Sequence, residues 1–204
     1  MLHLYFIRHG ETDYNALRIV QGGGIDSDLN ETGRSQSQLF FEKYKNEGFK
    51  QIYCSTLKRT FQTIQPFAEN DFSVEKLSGL NELGWGMLEG QPFNEENHRK
   101  FIEINRQWSE GNLDVAFENG ESPIQVWERA NAGLQEIFSA HKNGNILICT
   151  HGRTLRIICS MLLGAGLAKM NEFGHDNTGL NLIVKEDNRF IAAKLNSLEH
   201  LNRI

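Results

Sequence analysis

Two histidines stand at equivalent places in this 204-residue chain: His9, where the mostly apolar run Leu2-His3-Leu4-Tyr5-Phe6-Ile7 stops at Arg8-His9-Gly10, and His151, after Asn145-Ile146-Leu147-Ile148-Cys149-Thr150. Each is followed by a glycine, which lets backbone turn sharply and approach a ligand closely. Arg8 adjoins His9, and Arg59 falls in the first turns of a helix predicted after a second short strand. Their guanidinium groups suit bidentate contact with phosphate oxygens. Glu82, in a segment with Gly84, Gly86 and Gly90, supplies a carboxyl group for proton transfer. Together these residues describe phosphoryl transfer: donors around the equatorial oxygens, a neutral His9 as in-line nucleophile, and an acid for the leaving oxygen. His151 is expected as a cation or donor to the transferring group, with Gly10 and Gly152 offering backbone N–H groups. The arginines would also disfavour protonation of His9. Two guanidiniums and a second imidazole neutralise the dianion, so the set calls for no metal. Uncatalysed phosphate-monoester hydrolysis is slow enough that the site must lower the barrier by on the order of 20 kcal/mol, which requires the whole set.

These residues need strands and helices to bring them together. Residues 2–7 and 145–150 read as buried strands, with a third at Gln51–Cys54. Residues 10–30 read as a long functional loop centred on Gly22-Gly23-Gly24. A helix is expected from about Thr32 to Glu47. Another, capped by Ser55-Thr56 and carrying Arg59, is expected to end or kink at Pro66. An amphipathic helix over 94–108 lies in an expected helical insert at about 91–118. Ser122-Pro123-Ile124-Gln125 combines an N-cap, a first-turn proline and a glutamine three residues after the cap, opening a helix to about Ala140. Trp127, Ala130, Leu134, Ile137 and Phe138 recur on one face of it as core. A helix through Leu163 and a hairpin, Leu182 to Val184 and Phe190 to Ala193 turning at Asp187-Asn188, complete the chain. Alternating strands and helices imply an α/β fold, a three-layer α/β/α sandwich with a mainly parallel sheet, whose ligands bind at the carboxyl ends of the strands.

Composition is that of one globular domain over 1–204, with 39% apolar residues and a net charge of 21 − 26 = −5 without charge blocks. Such a balance offers no general attraction for nucleic acid. No apolar run approaches the length of a membrane-spanning helix. The N-terminus lacks the pattern of a secretory leader, so a cytoplasmic location is expected. Cys54, Cys149 and Cys159 have neither disulfide-framework nor zinc spacing and read as structural thiols. Cys54 and Arg59 flank four residues, one fewer than a cysteine-based phosphatase loop needs. Asp26-Ser27-Asp28 lacks the preceding strand of an aspartate nucleophile and the later glycine and glutamate of a calcium loop.

The segment Leu4-Tyr-Phe-Ile-Arg8-His9-Gly10-Glu11-Thr12, with Asn15 following, resembles the signature of the histidine phosphatase superfamily, branch 1, the phosphoglycerate-mutase-like group. The resemblance continues in family order through Gln21-Gly22, Leu29 with Gly33, Ser55 to Thr63, Glu82 with Gly86 and Glu89-Gly90, Gly120-Glu121-Ser122 and Thr150-His151-Gly152. It implies a phosphoglycerate-mutase-like fold and a phosphatase acting on a small-molecule phosphate monoester. His9 would be the phosphorylated nucleophile, Arg8, Arg59 and His151 the phosphate pocket, Glu82 the proton donor, and Asn15, Gln21 and Gly22 the lining and entrance. A mutase of this family would need 2,3-bisphosphoglycerate as phosphoryl donor; a phosphatase needs no cofactor. Leu83 stands where mutases carry an arginine after the acid, and the chain is short, which favours hydrolysis. His98, Arg99, Lys100 and Arg106 would grip an acidic substrate or form a solvated helix face, and Trp85, Met87, Phe93 and Trp108 would shape a pocket or pack as core. The extra glycines Gly23 and Gly24 imply a wider or more mobile entrance. A phosphate-binding family member without turnover would lack one of the five central residues, and none is lost. The resemblance is compatible with a monomer or a homodimer.

Overall fold

The computed structural model describes residues 1–92, 94–187 and 189–202. Strands β1 (Leu2–Arg8), β2 (Phe49–Cys54), β3 (Val74–Lys76), β4 (Gly144–Thr150), β5 (Leu180–Glu186) and β6 (Arg189–Ser197) form one sheet in the order β3-β2-β4-β1-β5-β6. The first four strands of that order pair parallel; β5 pairs antiparallel with both β1 and β6. The helices are α1 (Asp13–Ala16), α2 (Glu31–Tyr44), α3 (Lys58–Ala68), α4 (Glu95–Ser109), α5 (Pro123–Ala140) and α6 (Gly152–Leu162).

Side chains of a strand alternate between faces, and both faces of this sheet are covered. From β1, Leu4 and Phe6 pack with Leu134 and Ile137 of α5 and Leu155 and Ile158 of α6. Tyr5 and Ile7 pack on the opposite face with Phe40 and Tyr44 of α2 and Ile64 and Phe67 of α3. Ile148 and Cys149 of β4 divide in the same way. That is the expected three-layer arrangement. All three cysteines are free and buried. A third apolar cluster, with Trp85, Ile104, Trp108, Ile157 and Met170, seats α4 against α6.

The local signals hold where a side chain meets backbone donors. Ser122 and Gln125 form the reciprocal capping box that starts α5 at Pro123. At α3 the reading is corrected: the cap is Leu57, without a side-chain bond, and Ser55 turns instead toward His151. Pro66 neither ends nor breaks α3, which runs two residues further. The Gln62 carbonyl, which the amide of a residue other than proline at 66 would satisfy, accepts a bond from Ser37 Oγ at 3.3 Å. The hairpin strands are longer than expected, and of the two turn residues Asn188 lies outside the described residues, as does Phe93.

The loop after β1 is pinned by a backbone-to-backbone contact between two glycines. A Cβ at Gly10 would lie 2.6 Å from the Gly33 carbonyl oxygen, and one at Gly33 would lie 2.1 Å from the Glu11 carbonyl oxygen. Gly33→Ala is therefore expected to destabilise the protein by about 1–3 kcal/mol or more, read as a lower urea midpoint. An unchanged midpoint would show that the loop yields without cost.

Candidate active site

β1 and β4 end in register, Arg8 beside Thr150, and the ladder extends one step further through His9 N–H donating to the Thr150 carbonyl at 3.0 Å. The two imidazoles follow directly. Their ring centroids lie 5.2 Å apart, and both rings are buried. His9 Nδ1 lies 2.7 Å from the Gly10 carbonyl oxygen. A carbonyl only accepts, so Nδ1 carries the hydrogen and Nε2 keeps its lone pair. Burial holds His9 well below the usual histidine range, and Arg59 and Arg8 lower it further. The sequence identifies the arginines as the cause; burial is the larger one.

His151 is bonded at both nitrogens. Arg59 Nε donates to Nδ1 at 3.1 Å, which leaves the hydrogen on Nε2, 2.7 Å from Ser55 Oγ. Burial, then Arg59, holds this ring far below the usual range as well. His151 is thus a neutral imidazole locked between Arg59 and Ser55, not the cation or free donor expected, because it is buried against a permanent cation.

Arg59 is fully buried on α3 and donates through Nη1 to the Ile25 carbonyl at 2.6 Å and through Nη2 to the Gly22 carbonyl at 3.2 Å. Burial lowers it to about 10, which leaves it cationic at neutral pH. Arg8 donates from Nη1 to the His175 carbonyl at 2.9 Å, while its Nε is buried without a partner. Glu82 is buried, but not in apolar surroundings. Its Oε1 accepts from Leu83 N at 2.9 Å, Thr154 N at 3.0 Å and Thr154 Oγ1 at 3.2 Å, and its Oε2 accepts from Arg153 N at 3.1 Å. The carboxylate therefore caps the first turn of α6, where helix N–H groups lack partners and the dipole favours an anion.

Arg8, Asn15, Gln21, Glu82 and Gly152 line one cavity of about 360 Å³. His9, Arg59 and His151 are not among its lining residues. Gly22 contributes its carbonyl to Arg59 rather than a surface to the cavity. Gly10 N–H is taken by Thr63 Oγ1 at 2.9 Å and is not a free donor. The extra glycines are closely packed: Glu89 accepts from Gly24 N and Trp85 N, and a Cβ at Gly23 would lie 2.8 Å from the Glu82 carbonyl oxygen and one at Gly24 2.7 Å from Glu89 Oε2.

Sequence reading missed Arg153, His175 and Asn177, which line the same cavity. Asn177 Nδ2 donates to the His9 carbonyl at 2.9 Å and to Asn15 Oδ1 at 3.2 Å, fixing the backbone of His9. His175 is lowered to about 3, by burial first and then Arg8. The available signal was that β5 pairs antiparallel with β1, which returns the residues before β5 to the end of β1. Trp85 lines the cavity, Trp108 is fully buried, and Met87 is exposed. Lys100 and Arg106 pair with Glu96, Glu103 and Glu110 on their own exposed helix face. Among the described residues, no group of three or more His, Cys, Asp or Glu is arranged to hold a metal ion, and no helix is long and apolar enough to cross a membrane.

The family model of the histidine phosphatase superfamily (branch 1) matches residues 4–198. Phosphoserine phosphatase 1 of Hydrogenobacter thermophilus is 34% identical over 202 residues, covering 98% of this chain and 95% of that protein. A probable phosphoglycerate mutase, GpmB, of Yersinia pestis is 34% identical over 170 residues, covering 80% and 76%. Among solved structures, Bacillus stearothermophilus YhfR superposes with a TM-score of 0.87 at 25% identity, covering 99% of this chain and 100% of that one. The Entamoeba histolytica phosphoserine phosphatase in complex with 3-phosphoglyceric acid gives 0.83 at 27% identity, again covering 99% and 100%. With the match running from β1 through β6, the chain belongs to the histidine phosphatase superfamily, branch 1.

Proposed function

We propose that this protein is a phosphatase that hydrolyses a small-molecule phosphate monoester through a phosphohistidine at His9 Nε2, without a metal ion. The observation that carries the reading is the unprotonated, buried Nε2, fixed by the 2.7 Å bond between Nδ1 and the Gly10 carbonyl. A lone pair held this way beside two guanidiniums meets a phosphate dianion at close range in low dielectric.

Nε2 attacks phosphorus, the bond to the ester oxygen breaks, and the departing alkoxide takes a proton from Glu82. Water then attacks the phosphohistidine, gives its proton to the Glu82 carboxylate and releases inorganic phosphate with neutral His9. A phosphate monoester has a second pKa near 6, so its monoanion can bring one proton in, and passing that proton to the Glu82 carboxylate leaves the dianion that Nε2 attacks. Arg8 and Arg59 stabilise the equatorial oxygens in both steps; Arg8 Nε, buried and unpartnered, is a donor that a phosphate oxygen satisfies. Locked as neutral, His151 holds Arg59 in place. Leu83, tied by its amide to Glu82, stands where a mutase carries an arginine, which supports water rather than a second phosphorylated acid as the acceptor.

Rapid quenching with substrate is expected to yield an acid-labile, base-stable phosphoprotein in the wild type and none in His9→Ala, whose turnover falls by at least about a thousandfold. Chelator should leave turnover unchanged, and strong inhibition would remove the metal-free scheme. Adding 2,3-bisphosphoglycerate should give no interconversion of phosphoglycerates. Glu82→Gln is expected to lose about 10²–10⁴-fold on alkyl phosphates, which need the proton, and far less on aryl phosphates, which do not. Equal losses on both would take the acid role from Glu82.

His9, His151, His175 and His200 are all held below their ordinary value of 6.5, His200 at about 4, with burial as the first cause in each. The unfolded chain therefore takes up protons that the folded chain refuses. Stability should be complete above pH 6.5 and fall as the pH drops toward the folded values, by up to about 1.4 kcal/mol per pH unit for each ring. Urea midpoints measured between pH 7.5 and 5 test this, and a flat profile would mean that these rings are charged in the folded protein.

A further inference from the structure

Glu82 is anchored at both ends. Amides of α6 hold its carboxylate, and Arg129 of α5 holds its main chain, Nη2 donating to the Glu82 carbonyl at 3.1 Å. The same guanidinium donates through Nη1 to the Gly79 carbonyl at 2.9 Å and to the Asn81 carbonyl at 2.8 Å. It also meets Glu121 in a two-pronged pair, Nε to Oε1 at 2.8 Å and Nη2 to Oε2 at 2.9 Å. A guanidinium has five N–H donors, and here each has an acceptor of its own.

Glu121 lies just before the N-cap of α5 and carries the grip past the acid. Its Oε2 also accepts from Gly84 N at 2.8 Å, and its own amide donates to the Gly84 carbonyl at 2.7 Å. Burial opposes the charge of Glu121, and the bonds from Arg129 more than offset it, so the carboxyl group is held below its ordinary range. One ion pair thus ties the backbone from Gly79 to Gly84 on both sides of Glu82. The helix also presses on the start of this segment, since a Cβ at Gly79 would lie 2.5 Å from the Arg129 carbonyl oxygen. Neither Arg129 nor Glu121 lines the active-site cavity.

A proton donor works only within hydrogen-bond reach of the leaving oxygen, and a displacement of about 1 Å can cost on the order of a hundredfold in rate. Building on the reading of Glu82 as the acid, we propose that Arg129, oriented by Glu121, is a positioning residue that fixes the Glu82 carboxyl group at the leaving oxygen. The amides of α6 set the direction of the carboxylate, and the ion pair sets the point from which the side chain departs. A lysine at 129 would fill this role poorly, because its three donors surround a point of charge and cannot spread over five acceptors as a planar fork does.

The test plots log kcat/KM against leaving-group pKa for a series of phosphate monoesters running from 4-nitrophenyl phosphate to alkyl esters such as glycerol 1-phosphate. The wild type is expected to show a shallow slope, because the acid supplies the proton that a poor leaving group needs. Arg129→Ala should lose at least about 30-fold more at the alkyl end than at the aryl end, steepening the slope toward that of Glu82→Gln, with Arg129→Lys between. An equal loss along the whole series overturns the proposal, since that is the mark of a residue that only stabilises the fold. So does an unchanged rate. If Arg129→Ala does not fold, Glu121→Gln, which keeps the side chain's shape and removes its charge, decides by the same slope. A wild-type slope as steep as that of Glu82→Gln removes Glu82 from the acid role and the proposal with it, while the phosphohistidine at His9 is judged separately by rapid quenching. If no ester is turned over and no phosphohistidine forms, the phosphatase reading fails first.

Discussion

The hydrogen bond from His9 N–H to the Thr150 carbonyl carries the parallel β1–β4 ladder one residue beyond both strands. It sets the separation of the two imidazoles, because each then leaves the sheet at the same edge. It also decides their chemistry. Residues emerging between two covered faces are buried, and burial next to Arg8 and Arg59 makes the charged form of either ring unfavourable. A neutral His9 still has two tautomers, and the Gly10 carbonyl selects between them. A neutral His151 completes Arg59's set of acceptors. The ladder bond, burial and a single carbonyl thus yield an imidazole with a free Nε2 lone pair and a fixed guanidinium together.

Much of this site is written locally in the chain. Arg8, His9 and His151 end apolar runs that could only be buried strands, and Arg59 follows a third such run closely enough to share the same edge. Glu82 is legible as an acid but not in its setting, since it binds the N-terminus of α6, some seventy residues later in the chain. Its partners are backbone amides, which leave no trace in sequence. Ser55 shows the converse. As a serine before a helix it reads as a cap, yet the nearer demand is a buried imidazole hydrogen, and the helix begins two residues later without a side-chain cap. His175 and Asn177 sit in the segment before β5. They become visible only once β5 is extended back to Leu180 opposite Ile7, with the Thr178 amide bonded to the Arg8 carbonyl.

The glycines 22 to 24 show what composition leaves unsaid about packing. A run of three glycines has wide conformational freedom in isolation, but here the absence of Cβ atoms is what lets Glu89 and the Glu82 backbone approach. Glu89 is half-buried and is shifted upward, chiefly by that burial, while bonds from the Trp85 and Gly24 amides oppose the shift. The result is a closely packed segment. Its outer residues in turn supply the Gly22 and Ile25 carbonyls that hold the buried Arg59 guanidinium.

The choice of arginine, rather than lysine, at these buried positions follows from the same desolvation. Burial lowers Arg59 to about 10 and Arg153 to about 9, and both remain charged at neutral pH only because arginine starts from 12.5. A lysine starts about two pH units lower, so an equal displacement would bring it close to neutrality. It would also present a single point of charge where Arg59 holds an imidazole nitrogen and two carbonyls at once. A dry site that must stay cationic while keeping imidazoles neutral needs cations whose charge survives the loss of water. Arginine meets that need at every one of these places, and the same dryness that weakens its hold on a proton strengthens its hold on an anion.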